Sequence, residues 1–304
     1  MEIDNLGITN QIQPPISSGP LRVFKNLWKS LKDAMDLLSA SATAMIGLVI
    51  VITWVVIAIF APIFTAYSPT QQDYLQINKG PSSEHILGTD YLGRDVWARI
   101  AYGARTILSL GPISVAVAFL LGVLLGLPAG YYQGWVDEFV MRILDSIMAF
   151  PTILLYMIII SAVGASSFNV VIAIAIGGAP GIARLVRALT MDIRTREYVA
   201  AAKLRGDSDF IIMLREILPN CRGPLIVDLL LRIGYAAFYI GTLGFLGLGL
   251  PPPTPDWGGM VQEGHSRMMV NIWPVLSATL AIVSLVVGLN MFADGLREET
   301  MRYQ

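Results

Sequence analysis

Charge is scarce in this sequence. Asp, Glu, Lys and Arg supply 14% of its 304 residues, against about a quarter in an ordinary globular chain. That is too little to clothe a soluble domain of this length. The net charge is −1, so no basic footprint for nucleic acid is present. There is one cysteine, Cys221, which excludes an intramolecular disulfide and a cysteine metal cluster. The two histidines, His85 and His265, stand too far apart to form a metal site on their own. No G-x-x-x-x-G-K-[ST] phosphate loop, G-x-S-x-G elbow or H-E-x-x-H zinc motif occurs, and no pair of catalytic carboxylates stands out. A catalytic role for the chain itself is not expected.

Apolar sequence is abundant instead. The hydrophobic set makes up 55% of the chain, and mean hydropathy is +0.63. No charge occurs between Asp36 and Asp73, Arg105 and Asp137, Asp145 and Arg184, or Arg267 and Asp294. A spanning helix needs roughly 20 mostly apolar residues. The runs predict six spans, near residues 42–64, 106–127, 138–163, 169–185, 222–247 and 272–293. The turn-like cluster Gly164-Ala165-Ser166-Ser167-Phe168-Asn169 divides the third from the fourth. These spans are helices, because lipid offers no partner for backbone N–H and C=O groups. A barrel would show alternating ten-residue segments. The expected fold is therefore an all-α polytopic membrane bundle.

Residues 1–36 are polar and contain Pro14 and Pro15 before any long apolar run. They read as an arm (1–41) ahead of a transmembrane domain (42–304), with no cleavable signal. Basic residues set the orientation. Arg22, Lys25, Lys29 and Lys32 precede the first span. Arg187, Arg194, Arg196, Lys203, Arg205 and Arg215 lie between the fourth and fifth, and Arg297 and Arg302 follow the sixth. With six spans all three groups share one side. The positive-inside rule makes that side cytoplasmic, with both termini there, and places the chain in the cell membrane.

Residues 190–220 are the most informative segment. Glu197–Leu204 is rich in helix formers, among them Ala200, Ala201 and Ala202. Gly206 reads as a helix stop. Asp207-Ser208-Asp209 can cap a second short helix with an apolar stripe of Phe210, Ile211, Leu214 and Ile217, closed by Leu218 and Pro219. Two short helices thus meet at a glycine on a cytoplasmic loop. They suit either the lipid surface or a partner protein.

This pattern resembles the EAA loop of permease subunits in ATP-binding-cassette (ABC) importers. The matching positions are Ala200, Ala201, Ala202, Gly206, Leu218 and Pro219. Ala200 stands where the family has glutamate, with Glu197 a turn earlier, and Glu216 stands at the family's isoleucine, beside Ile217. The stretches 85–96 and 103–105, 245–258 and 290–297 resemble dipeptide, oligopeptide and nickel permeases, in particular their second, six-span subunit. The resemblance implies half of a translocation pathway. Its partners would be a homologous second permease, two ABC ATPase subunits that carry ATP and magnesium, and an extracytoplasmic solute-binding protein. No cofactor would sit on this chain. Cargo would be short peptides, with oligosaccharides or nickel as alternatives. Glu197 and the matched positions would couple the chain to the ATPases.

The rival of another class is a stand-alone secondary transporter. It would need a coupling-ion site at paired broken helices, and no such pair is evident in corresponding halves. A membrane scaffold would have no use for coupling helices.

Other residues carry weaker signals. Asp228 and Arg232, four apart in the fifth span, fit either an ion pair that fixes packing or a polar patch on the substrate path. Arg142 and Asp145 fit packing or snorkelling. Thr89 or Asp90 can cap a short helix with Asp95 and Arg99 paired at i,i+4, which fits either a structural elbow before the second span or an amphipathic element at the outer face that helps receive a solute-binding protein. Residues 251–258 read as a rigid outer loop with Trp257 in an interfacial aromatic belt. Gly241, Gly244, Gly247 and Gly249 read as a close-packing face.

Overall fold

A computed structural model describes the backbone of residues 41–302 and the side chains of residues 41–298. Most of the proposed N-terminal arm, with Arg22, Lys25, Lys29 and Lys32, lies outside the described residues. Among those described, every regular element is helical. Helix α1 covers Ala42–Ile59 and α2 is the short Ala61–Phe64. Then come α3 (Val96–Tyr132), α4 (Gly134–Met148), α5 (Thr152–Val163) and α6 (Ser167–Ile193). The remainder is α7 (Glu197–Leu204), α8 (Asp209–Ile211), α9 (Arg222–Phe245), α10 (Trp257–His265) and α11 (Trp273–Arg302).

Five segments have the length and apolarity to cross a membrane: α1, α3, α6, the run Asp209–Phe245 that ends in α9, and α11. The third expected span, 138–163, is not one helix. It is the pair α4 and α5, bent by 85° at a short break. Pro151 is the cause: it donates no N–H, and it disfavours helical backbone at Phe150 before it. Helix α5 has 12 residues, roughly 18 Å at 1.5 Å per residue, short of the ~30 Å hydrocarbon core.

Helix direction nevertheless requires a sixth crossing. Helices α3 and α6 pack along a stripe of small residues. A Cβ at Gly178 would touch Ala118, and Gly122 faces Ile182. A Cβ at Gly126 would strike the Ala183 carbonyl oxygen, and Gly130 faces Arg187 and Thr190. Both sets of numbers rise together, so the two helices run parallel. The chain between them, α4 and α5, must return from one end to the other, and the bent pair carries that crossing. Helices α1 and α11 run antiparallel, with Ala44 against Gly295, Gly47 against Phe292 and Trp54 Nε1–H donating to Ser284 Oγ at 3.0 Å. Such close approaches suit a medium in which van der Waals packing drives helix association.

The elbow before the second span forms differently from expectation. No separate helix caps at Thr89 or Asp90. Asp95 is the N-cap of α3, accepting from the Ala98 N–H at 2.7 Å, and α3 runs unbroken through the span. Asp95 pairs with His85 at 2.9 Å, not with Arg99. Arg99 instead joins Asp90, Arg94 and Glu263 in a buried network, with contacts of 2.6 to 2.8 Å. Two guanidinium and two carboxylate groups balance there, which is the condition for burying charge. Trp257 is not in an interfacial belt. It is fully buried, its Nε1–H donates to the Ile100 carbonyl at 2.9 Å, and its ring meets Trp54 edge-on. Of the expected glycine face, Gly241 meets Ile282 and Gly244 and Gly249 pack on Asp256, while a Cβ at Gly247 would meet nothing.

Candidate functional site

Residues 190–221 fold onto the ends of the parallel helices α3 and α6. Helix α7 ends at Gly206, whose φ is +82°. The Asp207 N–H reaches back to the Ala202 carbonyl at 3.2 Å and the Gly206 N–H to Lys203 at 3.0 Å. This is a Schellman stop, and it requires the left-handed backbone that glycine adopts without a Cβ penalty. Ser208 stands at the N-cap of α8 without a side-chain capping bond.

After α8 the chain continues as a π-helical turn, Ile212–Ile217, and a 3₁₀ turn, Leu218–Cys221, before α9. The wider π winding rotates the apolar stripe away from the expected 3.6-residue spacing. Ile212, Met213 and Ile217 are buried, whereas Phe210, Ile211 and Leu214 point outward. Val199 and Ala202 from α7 join Ile212 and Ile217 in one core with Leu127 of α3 and Ile182, Val186 and Ile193 of α6.

Tyr131, at the end of α3, ties the parts together. Its hydroxyl donates to Asp209 Oδ1 at 2.7 Å, its carbonyl accepts from Arg194 Nη1 at 2.5 Å, and Lys203 Nζ lies 5.1 Å from its ring centroid. Sequence reasoning passed over Tyr131, because nothing local marks a tyrosine 78 positions from its acidic partner. Arg205 pairs with Asp207 at 2.8 Å and Glu216 at 3.2 Å, so the glutamate at the expected isoleucine position has an electrostatic partner.

The matched positions divide by exposure. Glu197, Ala200, Ala201, Gly206 and Pro219 are exposed, Leu218 is half-buried, and Ala202 faces the core. Leu204 is 90% exposed and Phe210 66%. The loop therefore has a packed inner face and an apolar outer face, with small residues between the projections.

Asp228 and Arg232 form a half-buried pair, Arg232 Nε donating to Asp228 Oδ2 at 2.5 Å. Arg142 and Asp145 do not pair with each other: Arg142 bonds Glu138, and Asp145 bonds Arg184 of α6. Asp137 likewise bonds Arg187. These last two pairs strap α4 along α6. On the opposite side, Asp256 caps α10 through the Gly258 and Gly259 N–H groups at 3.2 and 3.1 Å. Burial pushes its carboxyl up to about 6.

The family described as "Binding-protein-dependent transport system inner membrane component" matches residues 122–298. The chain belongs to that family. A second description, "N-terminal TM domain of oligopeptide transport permease C", matches residues 29–81. The chain is 41% identical over 267 residues to the dipeptide transport system permease protein DppC of Alkalihalophilus pseudofirmus, covering 88% of each. It is 42% identical over 226 residues to the glutathione transport system permease protein GsiD of Pectobacterium atrosepticum, covering 74% of this chain and 75% of that one. An inward-facing structure of the MetNI methionine ABC transporter shares the fold at a TM-score of 0.55, with 18% identity, covering 66% of this chain and 96% of the other. As a transport permease of this family, the chain has its charged loop and its bent helix pair inside the matched region.

Proposed function

We propose that this chain is one half of the membrane pathway of an ATP-driven importer for short peptides. Residues 190–221 would receive motion from ATPase subunits on the cytoplasmic side. One observation carries the reading. The loop is packed through Ile212, Ile217 and Tyr131 onto the joined ends of α3 and α6, so a force on its outer face moves both helices together. Leu204 and Phe210 provide that face. ATP can shift the pathway between its states only by the difference in its binding free energy between them, and a rigid contact delivers that difference.

The proposed partners are a homologous second permease, two ABC ATPase subunits and an extracytoplasmic binding protein. Both termini would be cytoplasmic. The buried network of Asp90, Arg94, Arg99 and Glu263 holds the 65–95 segment against α10, which gives a binding protein a fixed outer surface. The loop 251–258 is a second element for that contact, anchored by buried Trp257. Peptide cargo is favoured by the dipeptide and glutathione relatives.

The test is uptake of a labelled di- or tripeptide by the complete complex in proteoliposomes. The reading predicts uptake that requires ATP and the binding protein. Uptake by this chain alone, driven by an ion gradient, would replace it with a secondary transporter.

A further inference from the structure

Arg232 lies ten residues into α9, roughly 15 Å along a helix of about 36 Å, which places a guanidinium near mid-depth in the bundle. It lines a partly open cavity of about 240 Å³. Among the described residues lining the cavity, Arg232 is the only charged one, and its ion-pair partner Asp228 does not line it. Arg232 is thus the one charged group facing the cavity, with Asp228 balancing it from behind.

Its polar walls are built. Gly181 leaves the guanidinium room, since a Cβ there would sit 2.9 Å from Arg232 Nη2. Gly177 does the same for the Tyr156 ring. Nε of Arg232 is committed to Asp228, and Nη1 lies 3.4 Å from the Gly178 carbonyl. Nη2 has no acceptor among the described residues, although a guanidinium offers five N–H donors. Tyr156 is 98% buried, lines the cavity, and its hydroxyl has no hydrogen-bond partner among the described residues. Tyr235, which is exposed, and Tyr239 line the same space. Among the described residues only the Thr190 hydroxyl is buried without a partner, so these donors are open to water in the cavity, which a ligand's acceptor oxygens would replace. A ligand that meets them must be rich in acceptor oxygens and carry negative charge at the guanidinium.

We propose that this cavity is a transient site for the C-terminal carboxylate of a peptide in transit, with Arg232 Nη2 as the charge partner and the Tyr156 hydroxyl as a further donor. The site rests on the peptide-importer reading above. It makes this chain discriminate among cargo ends, in addition to any choice made by a binding protein.

The experiment uses the complete complex in proteoliposomes and two cargoes, a tripeptide with a free C-terminal carboxylate and the same tripeptide as its C-terminal amide. The readout is the ratio of their uptake rates, in wild type and in Arg232→Gln, Asp228→Asn and Tyr156→Phe. Selection by the binding protein is common to all variants, so only the change in the ratio reports on this site. Wild type is expected to favour the acid. Arg232→Gln should reduce that preference about tenfold, the scale of one charge-assisted hydrogen bond. Tyr156→Phe should reduce it by a smaller factor, and Asp228→Asn should retain it. If Arg232→Gln and Asp228→Asn slow both cargoes alike and leave the ratio unchanged, the pair serves packing and the site is refuted. If Arg232→Gln does not assemble, an unchanged ratio in Tyr156→Phe and a lost one in Asp228→Asn refute it equally. If wild type imports neither peptide while binding-protein-stimulated ATP hydrolysis proceeds, the peptide reading itself fails, and the site with it.

Discussion

Asp256 shows how a single side chain can be both necessary and strained. Its carboxylate caps α10 but is walled in by Gly244, Gly249, Gly258 and Gly259. Burial raises its carboxyl from the ordinary 3.8 to about 6, against the two backbone donors and Arg99, which pull it down. The folded protein therefore holds this proton more tightly than the unfolded chain. The contribution to stability is largest below about pH 4 and is lost as pH rises through about 6. Asp256→Asn keeps an oxygen for the cap and removes the titration. Melting curves of the purified protein at pH 5 and pH 7.5 should show the variant gaining on wild type at the higher pH. A constant difference between the two proteins would contradict this.

Cys221 is the simpler case at the same scale. It is fully buried, so native protein should label poorly with maleimide until it is denatured.

At the scale of elements, the contact between α3 and α6 is set by backbone against backbone. Gly126 faces the Ala183 backbone, which cannot move aside as a flexible side chain can. Gly126→Ala should destabilise the protein by ~1–3 kcal/mol, the range for overpacking, whereas Gly247→Ala should act only through its backbone at φ +77°. Thermal denaturation of both variants compares the two mechanisms.

Much of this layer was legible in the sequence. Charge-free runs revealed α1, α3, α6 and α11, and α9 was read from its apolar length despite Asp228 and Arg232, because hydropathy answers directly to the absence of water in lipid. The break at Pro151 was equally visible as a residue but was overridden by a run of apolar neighbours. The α3–α6 stripe of Gly122, Gly126 and Gly130 was missed, since glycine spacing says nothing about which helix lies opposite. In the loop of residues 190–221 the turn at Gly206 was legible from local chemistry. The buried face was not, because the π turn at Ile212–Ile217 changes the period on which the reading depended. The Tyr131–Asp209 bond and the Glu263 contacts of Arg94 and Arg99 are long-range, and no local pattern encodes them.

For the whole molecule, the proposed orientation has residues 190–221 on the cytoplasmic side and residues 266–272 outside. Cys221 supplies little background for a labelling test. A cysteine at Leu204, 90% exposed, should react with a membrane-impermeant reagent only from the cytoplasmic side. One at Met269, 100% exposed, should react only from outside. Labelling of both from one side would break the six-crossing topology that parallel α3 and α6 require.

The central claim is that the outer face of this loop is the point of attachment to an ATPase. Affinity purification of the tagged chain from its native membrane, with identification of every bound subunit, tests it most directly. Wild type should bring down a second permease and ATPase chains, and Leu204→Asp with Phe210→Asp should lose the ATPase chains while keeping the second permease. Retention of the ATPase chains by that variant, or a wild-type chain that comes out alone, would contradict the account.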